Sequence, residues 1–286
     1  MPLPEEVSPY PQRESSWTVH NAVPAVISSD SWPRKRIGEG GSGKVCLIED
    51  ADGTRLALKS FDASSVNLPL LKRMTRRLGA GGWPIGVLPV LREDYGGVPA
   101  FHVTPLLASA REEGGDLVPL SLQHGWDIAR AGGGLELVNS LARALSAMHE
   151  RGVAHGNLKP GNLFVDESGA VLLADWTMGN MPGTEVFHFT DAVLYQAPEQ
   201  LRDPSGYGHP AALRWDVFAF GVMAFRILTG RFPRCHQTFQ RVSPQIGGNH
   251  RGDLEVDLVK LSEYLEARDS FDWPEEPDAE AHEEIR

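Results

Sequence analysis

The residues of this sequence with the most chemistry in them lie in two stretches. Gly38-Glu39-Gly40-Gly41-Ser42-Gly43-Lys44-Val45 is a glycine-rich run. Backbone amides can approach phosphate oxygens closely only where no Cβ intervenes, so such a run suits a phosphate cradle. The second stretch is His155-Gly156-Asn157-Leu158-Lys159-Pro160-Gly161-Asn162, followed by Asp175-Trp176-Thr177. It gathers a histidine, two amides, a lysine and a carboxylate. The Asn157 amide can hydrogen-bond but is a negligible base near pH 7.

These residues need elements to position them. Val45-Cys46-Leu47-Ile48 and Leu56-Ala57-Leu58 flank Asp52-Gly53, which predicts two strands joined by a tight hairpin. Leu68, Leu71, Met74 and Leu78 form an apolar stripe that predicts a helix over 66–78. Val87–Leu91 and Val98–Leu107 read as two further strands around Gly96-Gly97. Helical periodicity marks Leu135–Met148 and Leu213–Leu228, with another helix near 255–267. Strands crowd the first third and helices the remainder, which predicts an α+β chain in two parts. Residues 1–30 carry prolines and no sustained period, and read as a loosely ordered leader.

Bulk properties exclude several classes. A net charge of −11 and a pI near 5.4 argue against a nucleic-acid or anionic-membrane surface, since both need clustered Lys and Arg. No apolar run approaches the length that crosses a bilayer, and Met1–His20 lacks a signal-peptide core. Cys46 and Cys235 have no spacing that suggests a metal site or a disulfide framework, and read as free thiols of a cytoplasmic chain. The histidines show no zinc-ligand spacing. His155 reads as packed beneath its loop and the others as surface residues.

The glycine run fits two templates, the G-x-G-x-x-G-x-V of protein kinases and most of the Walker A loop, G-x-x-x-x-G-K. Walker A continues with Ser or Thr and opens a helix, whereas here Val45 follows and a hairpin strand begins. The kinase template therefore wins. Leu56-Ala57-Leu58-Lys59, His155–Asn162, Asp175-Trp176-Thr177, Ala197-Pro198-Glu199 and Asp216–Gly221 then resemble the remaining protein-kinase motifs, in order, over about residues 34–230. The resemblance implies a two-lobed fold: a β-rich lobe over 31–107 and a mainly helical lobe over 108–286. It implies that Gly38, Gly40, Gly43, Val45 and Lys59 hold the phosphates of ATP, and that Asn162 and Asp175 hold Mg2+. Val103–Leu107 would face adenine, with Thr104 at the rear of the cleft, the Pro105 carbonyl as acceptor and the Leu107 N–H as donor.

The departures decide the expected function. Asn157 stands at the family's catalytic-base position, beside Lys159. The predicted helix over 66–78 offers Lys72, Arg73, Arg76 and Arg77 but no glutamate to pair with Lys59. Thr177 replaces the glycine of the metal-binding turn, and Ala192 stands where a threonine is common. Together they predict an ATP-binding pseudokinase, a signalling switch or scaffold with a protein partner. The alternatives are an active atypical Ser/Thr kinase, a kinase carrying an inactivating Asp-to-Asn change, and an interaction domain that uses Lys59 and Asp175 as an ion pair without nucleotide. Glu199 is expected to be a buried or half-buried carboxylate. Ala279–Arg286 reads as the start of a further helix, so the helical lobe is expected to be incomplete, with a short acidic tail as the alternative.

Overall fold

The hairpin at Asp52-Gly53 is the seed of the first lobe. A computed structural model describes residues 35–40, 42–50, 52–110, 117–123, 133–165, 170–176, 186–188, 191–203, 209–233 and 255–267. The expected leader, Thr177 and the 279–286 stretch lie outside the described residues. Strands β1 (Lys35–Gly40), β2 (Gly43–Glu49), β3 (Arg55–Phe61), β4 (Arg92–Asp94) and β5 (Ala100–Pro105) form a five-stranded antiparallel sheet in the order β1-β2-β3-β5-β4. Alternation along β3 sends Leu56 and Leu58 to one face, where they pack with Ile48 and Val103. It leaves Ala57 and Lys59 toward the other half of the molecule.

Helix α1 (Leu68–Gly79) crosses behind the sheet. The Asn67 side chain caps it by accepting the Leu70 N–H at 3.0 Å, and Leu71, Met74, Thr75 and Leu78 face inward. Its C-terminal end is clasped to the helical half. Arg77 donates to the carbonyl of Gly152 at 3.0 Å, and Arg151 donates to the carbonyl of Ala80.

The segment expected as a strand over Val87–Leu91 is not part of the sheet, which begins its fourth strand only at Arg92. Only Leu91 reaches the sheet, donating its N–H to Val103 at 2.8 Å; the start of the run pairs elsewhere, with Leu88 N–H donating to Leu173 at 2.9 Å and Leu173 N–H to Gly86 at 2.8 Å. Gly86, at φ +79°, allows this approach. A Cβ there would stand 2.4 Å from the Cβ of Ala144.

Two further short strands, β6 (Ala108–Ala110) and β7 (Leu117–Pro119), pair with each other. The helical half rests on α2 (Gly134–Glu150) and on α4 (His209–Thr229), with α3 (Pro198–Arg202) between them in sequence. Leu137, Val138, Leu141, Ala144, Leu145 and Met148 recur at helical spacing and bury one face of α2. Helix α4 is apolar on most sides and threads the core with Trp215, Met223, Phe225 and Ile227.

A hairpin of β8 (Leu163–Val165) and β9 (Val171–Leu173) pairs Leu163 with Leu173. That register sets Asn162 and Ala174 beside each other at the hairpin's open end. Further on, β10 (Val186–His188) pairs with β11 (Glu255–Asp257), and α5 (Leu258–Glu266) follows. The helix expected near 255–267 therefore begins with a strand. Among the described residues no helix is long and apolar enough to cross a membrane.

Candidate functional site

A cleft, open on one side, lies between the sheet and the helical half. Its concave, mostly apolar walls with a few polar groups are of the kind that hold small molecules and cofactors. Gly38 and Val45 form its roof, Lys59 and Thr104 its rear, Pro105–Leu107 its edge, and Asn162 and Asp175 its floor. The structure thus brings together eight residues expected from the sequence: Gly38, Val45, Lys59, Thr104, Pro105, Leu107, Asn162 and Asp175. Gly40 and Gly43 do not line it, although they pair at the tip of the β1–β2 hairpin. Gly43 has a packing reason to be glycine: at φ +144°, a Cβ would fall 1.9 Å from the Ser60 carbonyl oxygen. Asn157 and Lys159 line a second, smaller cavity with Tyr195 and Gln196.

At the rear, Lys59 Nζ lies 2.5 Å from Asp175 Oδ1, with both side chains largely buried. Helix α1 presents no carboxylate to this lysine; its inward residues are Leu71, Met74, Thr75 and Leu78. A neutral chain occupies the space between helix and sheet instead. Thr75 Oγ1 and Tyr95 Oη are 3.0 Å apart, and Tyr95 Oη lies 3.0 Å from His102 Nδ1.

His102 pairs with Lys59 across β3 and β5 and is buried, contrary to its expected place on the surface. The reason is strand alternation, which puts Ala100, His102 and Thr104 on one face. Burial, reinforced by the Lys59 charge, pushes its pKa down to about 3, so the imidazole is neutral. Burial likewise pushes the Tyr95 phenol up. That alternation was available as a signal for His102; its partners on other elements were not.

The loop at 155–162 hangs from one carboxylate. Asp216, 1% exposed on α4, accepts the backbone N–H of His155 and of Gly156, each at 2.7 Å, and lies 2.8 Å from His149 Nε2. His155 is fully buried, as expected. Asn157 N–H donates to its Nδ1 at 3.2 Å, so its proton sits on Nε2, which donates to the Ala174 carbonyl at 2.9 Å. Burial holds the His155 pKa below the usual histidine range. Gln200 Nε2 donates to the Gly156 carbonyl at 3.0 Å.

The two amides of the loop are also engaged. Asn162 Nδ2 donates to the Asn157 carbonyl at 2.7 Å, and Asn157 Nδ2 to the Asp175 carbonyl at 3.2 Å. Asn162 therefore keeps its side-chain oxygen as an acceptor beside the Asp175 carboxylate. Two hard oxygens from few residues suit a magnesium ion that takes its other ligands from phosphate and water. Among the described residues there is no cluster of three or more His, Cys, Asp or Glu that would cage a metal.

Comparison of the sequence with known proteins gives the family. The family model described as "Protein kinase domain" matches residues 127–275, more than half of the chain. The chain belongs to the protein kinase family. It is 31% identical over 212 residues to "Serine/threonine-protein kinase Pkn1" of Myxococcus xanthus, covering 70% of this chain and 29% of that protein. It is also 31% identical over 208 residues to "Serine/threonine-protein kinase SBK1" of Mus musculus, covering 70% of this chain and 47% of that protein. The match to "Serine/threonine-protein kinase PknD" of Chlamydia pneumoniae is 28% over 231 residues, covering 69% and 24%. The chain thus spans less than half the length of these relatives. Its fold is the two-lobed kinase arrangement, a β-sheet lobe beside a helical one.

Glu199 is exposed on α3, neither buried nor half-buried. The segment after it is tied down by a charge pair of the opposite polarity, in which Arg202 of α3 meets Glu266 of α5.

Proposed function

We propose that this kinase-family chain is a nucleotide-binding pseudokinase that serves a protein partner as a switch or scaffold in the cytoplasm. The single observation that carries the reading is the state of the catalytic position. Asn157 offers no base, and its amide is spent on the Asp175 carbonyl. A positioned general base typically contributes about 10²–10⁴-fold. The absence of a carboxylate on α1 removes a second part of the family's machinery, because Lys59 has Asp175 as its counter-ion.

The cleft residues fit Mg-ATP. Gly38 and Val45 would cover the phosphates, Lys59 would neutralise them, and the Pro105 carbonyl and Leu107 N–H would meet adenine. Asn162 and Asp175 would hold the magnesium, whose charge offsets that of the phosphates when bound. Titrating Mg-ATP while following thermal unfolding tests this. A ligand that binds only the folded state stabilises it by about 2.7 kcal/mol at a hundred times its Kd, which raises the melting temperature. No shift up to millimolar nucleotide would refute the reading.

A second reading draws on the Lys59–Asp175 pair itself. With the phosphate-binding lysine already neutralised by the metal-binding carboxylate, the cleft would be a closed structural feature of an interaction domain without nucleotide. The same titration separates the two. Phosphate transfer by the chain at a rate comparable to that of its Ser/Thr kinase relatives would overturn both and favour an active atypical kinase.

A further inference from the structure

We infer that Thr75, Tyr95 and His102 form a one-way hydrogen-bonded tether that holds α1 against the sheet in place of an ion pair. Tyr95 is its positioning residue, and the tether leaves the His102 Nε2–H facing the cleft. The inference stands apart from the nucleotide reading, because it concerns how the helix is held whether or not a ligand is bound.

The three side chains come from three places in the fold: α1, the turn after β4, and β5. Each residue is 6% exposed. Thr75 Oγ1 and Tyr95 Oη are 3.0 Å apart, and Tyr95 Oη lies 3.0 Å from His102 Nδ1. Packing sets the phenol between its two partners. The Phe61 ring lies 4.8 Å from the imidazole, nearly perpendicular to it at 89°, and 5.9 Å from the phenol ring. The turn that carries Tyr95 is braced by its own side chains. Glu93 accepts the Tyr95 N–H at 3.2 Å, and Asp94 accepts the Gly96 N–H at 3.1 Å. The phenol therefore reaches the helix from a fixed base.

Counting hydrogens gives the tether a direction. Thr75 and Tyr95 each have one hydroxyl hydrogen, and the buried imidazole, neutral with its pKa near 3, has one N–H. When Thr75 donates to Tyr95 and Tyr95 donates to Nδ1, both hydroxyl hydrogens are used and the ring hydrogen sits on Nε2. The opposite direction would leave the Thr75 hydrogen buried without an acceptor, since Thr75 Oγ1 has no second partner among the described residues. His102 lines the rear of the cleft, and its Nε2 has no protein partner among the described residues. This N–H is thus a donor offered to the cleft, from the strand position that pairs with Lys59.

Helix α1 carries no carboxylate, and Lys59 is engaged by Asp175. An ion pair between sheet and helix would weaken whenever the lysine turned to another anion. The neutral tether makes no use of Lys59, so the helix keeps its place whichever anion holds the lysine.

The test is made without ligand. Its first arm is NMR of the protein labelled with 15N-histidine, with H102N identifying the His102 signals. His102 is expected as the Nε2–H tautomer in wild type and in T75V, where Tyr95 still donates to Nδ1, and as a mixture of tautomers in Y95F.

The second arm compares hydrogen exchange in α1 with that in α2, so that a general loss of stability cancels. Y95F and T75V are each expected to melt about 2–4 °C lower and to raise exchange in α1 relative to α2 about fivefold or more. K59M should leave that ratio within about twofold of wild type. A ratio that rises in K59M as much as in Y95F, a ratio unmoved in both hydroxyl variants, or any other tautomer in wild type overturns the inference. If Y95F does not fold, T75V carries the test, since valine keeps the shape and removes only the hydroxyl.

Discussion

Lys59 Nζ and Asp175 Oδ1 stand 2.5 Å apart and join the sheet wall of the cleft to its floor. In a kinase-family fold whose α1 carries no carboxylate, this pair is what fixes the lysine. Removing either member leaves the other charge in a largely desolvated place. K59M and D175N are each expected to cost about 1–3 kcal/mol of stability, the penalty for leaving one buried polar partner unpaired. The double variant should cost less than the sum, and a double-mutant cycle by denaturant unfolding measures that coupling. Strict additivity would show that the pair contributes nothing.

Restoring the family's aspartate should not restore the family's activity. In N157D, Lys59 still lacks a partner on α1. Transfer of radiolabelled phosphate to a generic basic protein is expected to stay within about tenfold of wild type, well short of the 10²–10⁴ typically associated with a positioned base. Strong turnover by N157D would mean that the asparagine is the sole lesion.

Acid should destabilise the fold from about pH 6.5 downward. His102, held neutral with its pKa near 3, and His155, also held below the usual range, stay unprotonated in the folded state. In the unfolded chain both take up protons near pH 6.5. The unfolded state therefore binds more protons below that pH, and stability falls as pH falls. Each such histidine contributes at most about 1.4 kcal/mol per pH unit between its unfolded and folded pKa. Urea unfolding of wild type and H102N at pH 7.5 and 5.0 checks the sign, since the variant should lose less stability over that interval.

Asp216 supports the loop through both carboxylate oxygens. D216N keeps the shape but turns a donor toward one of two buried N–H groups. The expected loss is about 2–4 kcal/mol, from one charge-assisted bond lost and one N–H left unpaired. Denaturant midpoints would show it, with wild-type behaviour as the contrary result.

The Arg202–Glu266 pair should matter far less. Both side chains are close to half exposed, at 42% and 45%, and exposed pairs are usually worth under about 1 kcal/mol. E266A should therefore melt within a few degrees of wild type, and a large drop would assign α5 a bigger part in holding α3.

Much of this architecture could be read from local pattern. The Asp52-Gly53 hairpin and the stripes of α1, α2 and α4 are short-range signals, and the elements lie within a few residues of where periodicity puts them. An apolar run such as 87–91 does not say which strand it meets: Leu88 meets Leu173, and only Leu91 meets β5. Eight cleft residues were legible because motif order carried them. The burial of His102 depends on Thr75 and Tyr95, which come from a helix and a turn, and no spacing rule joins the three. The donor role of Asn157 was invisible for a similar reason: its acceptor lies on a residue eighteen positions away.

The arginine clasps at the end of α1 have a consequence for motion. Arg77 and Arg151 tie α1 to the end of α2, and Leu88 and Leu173 tie the following segment to the β8–β9 hairpin. With the chain crossing at Pro105–Leu107, the two lobes are joined at several places, much as a door is hung on several pins. Widening the mouth of the cleft and stretching the Lys59–Asp175 contact become the same movement, so whatever widens the mouth must also work against that ion pair.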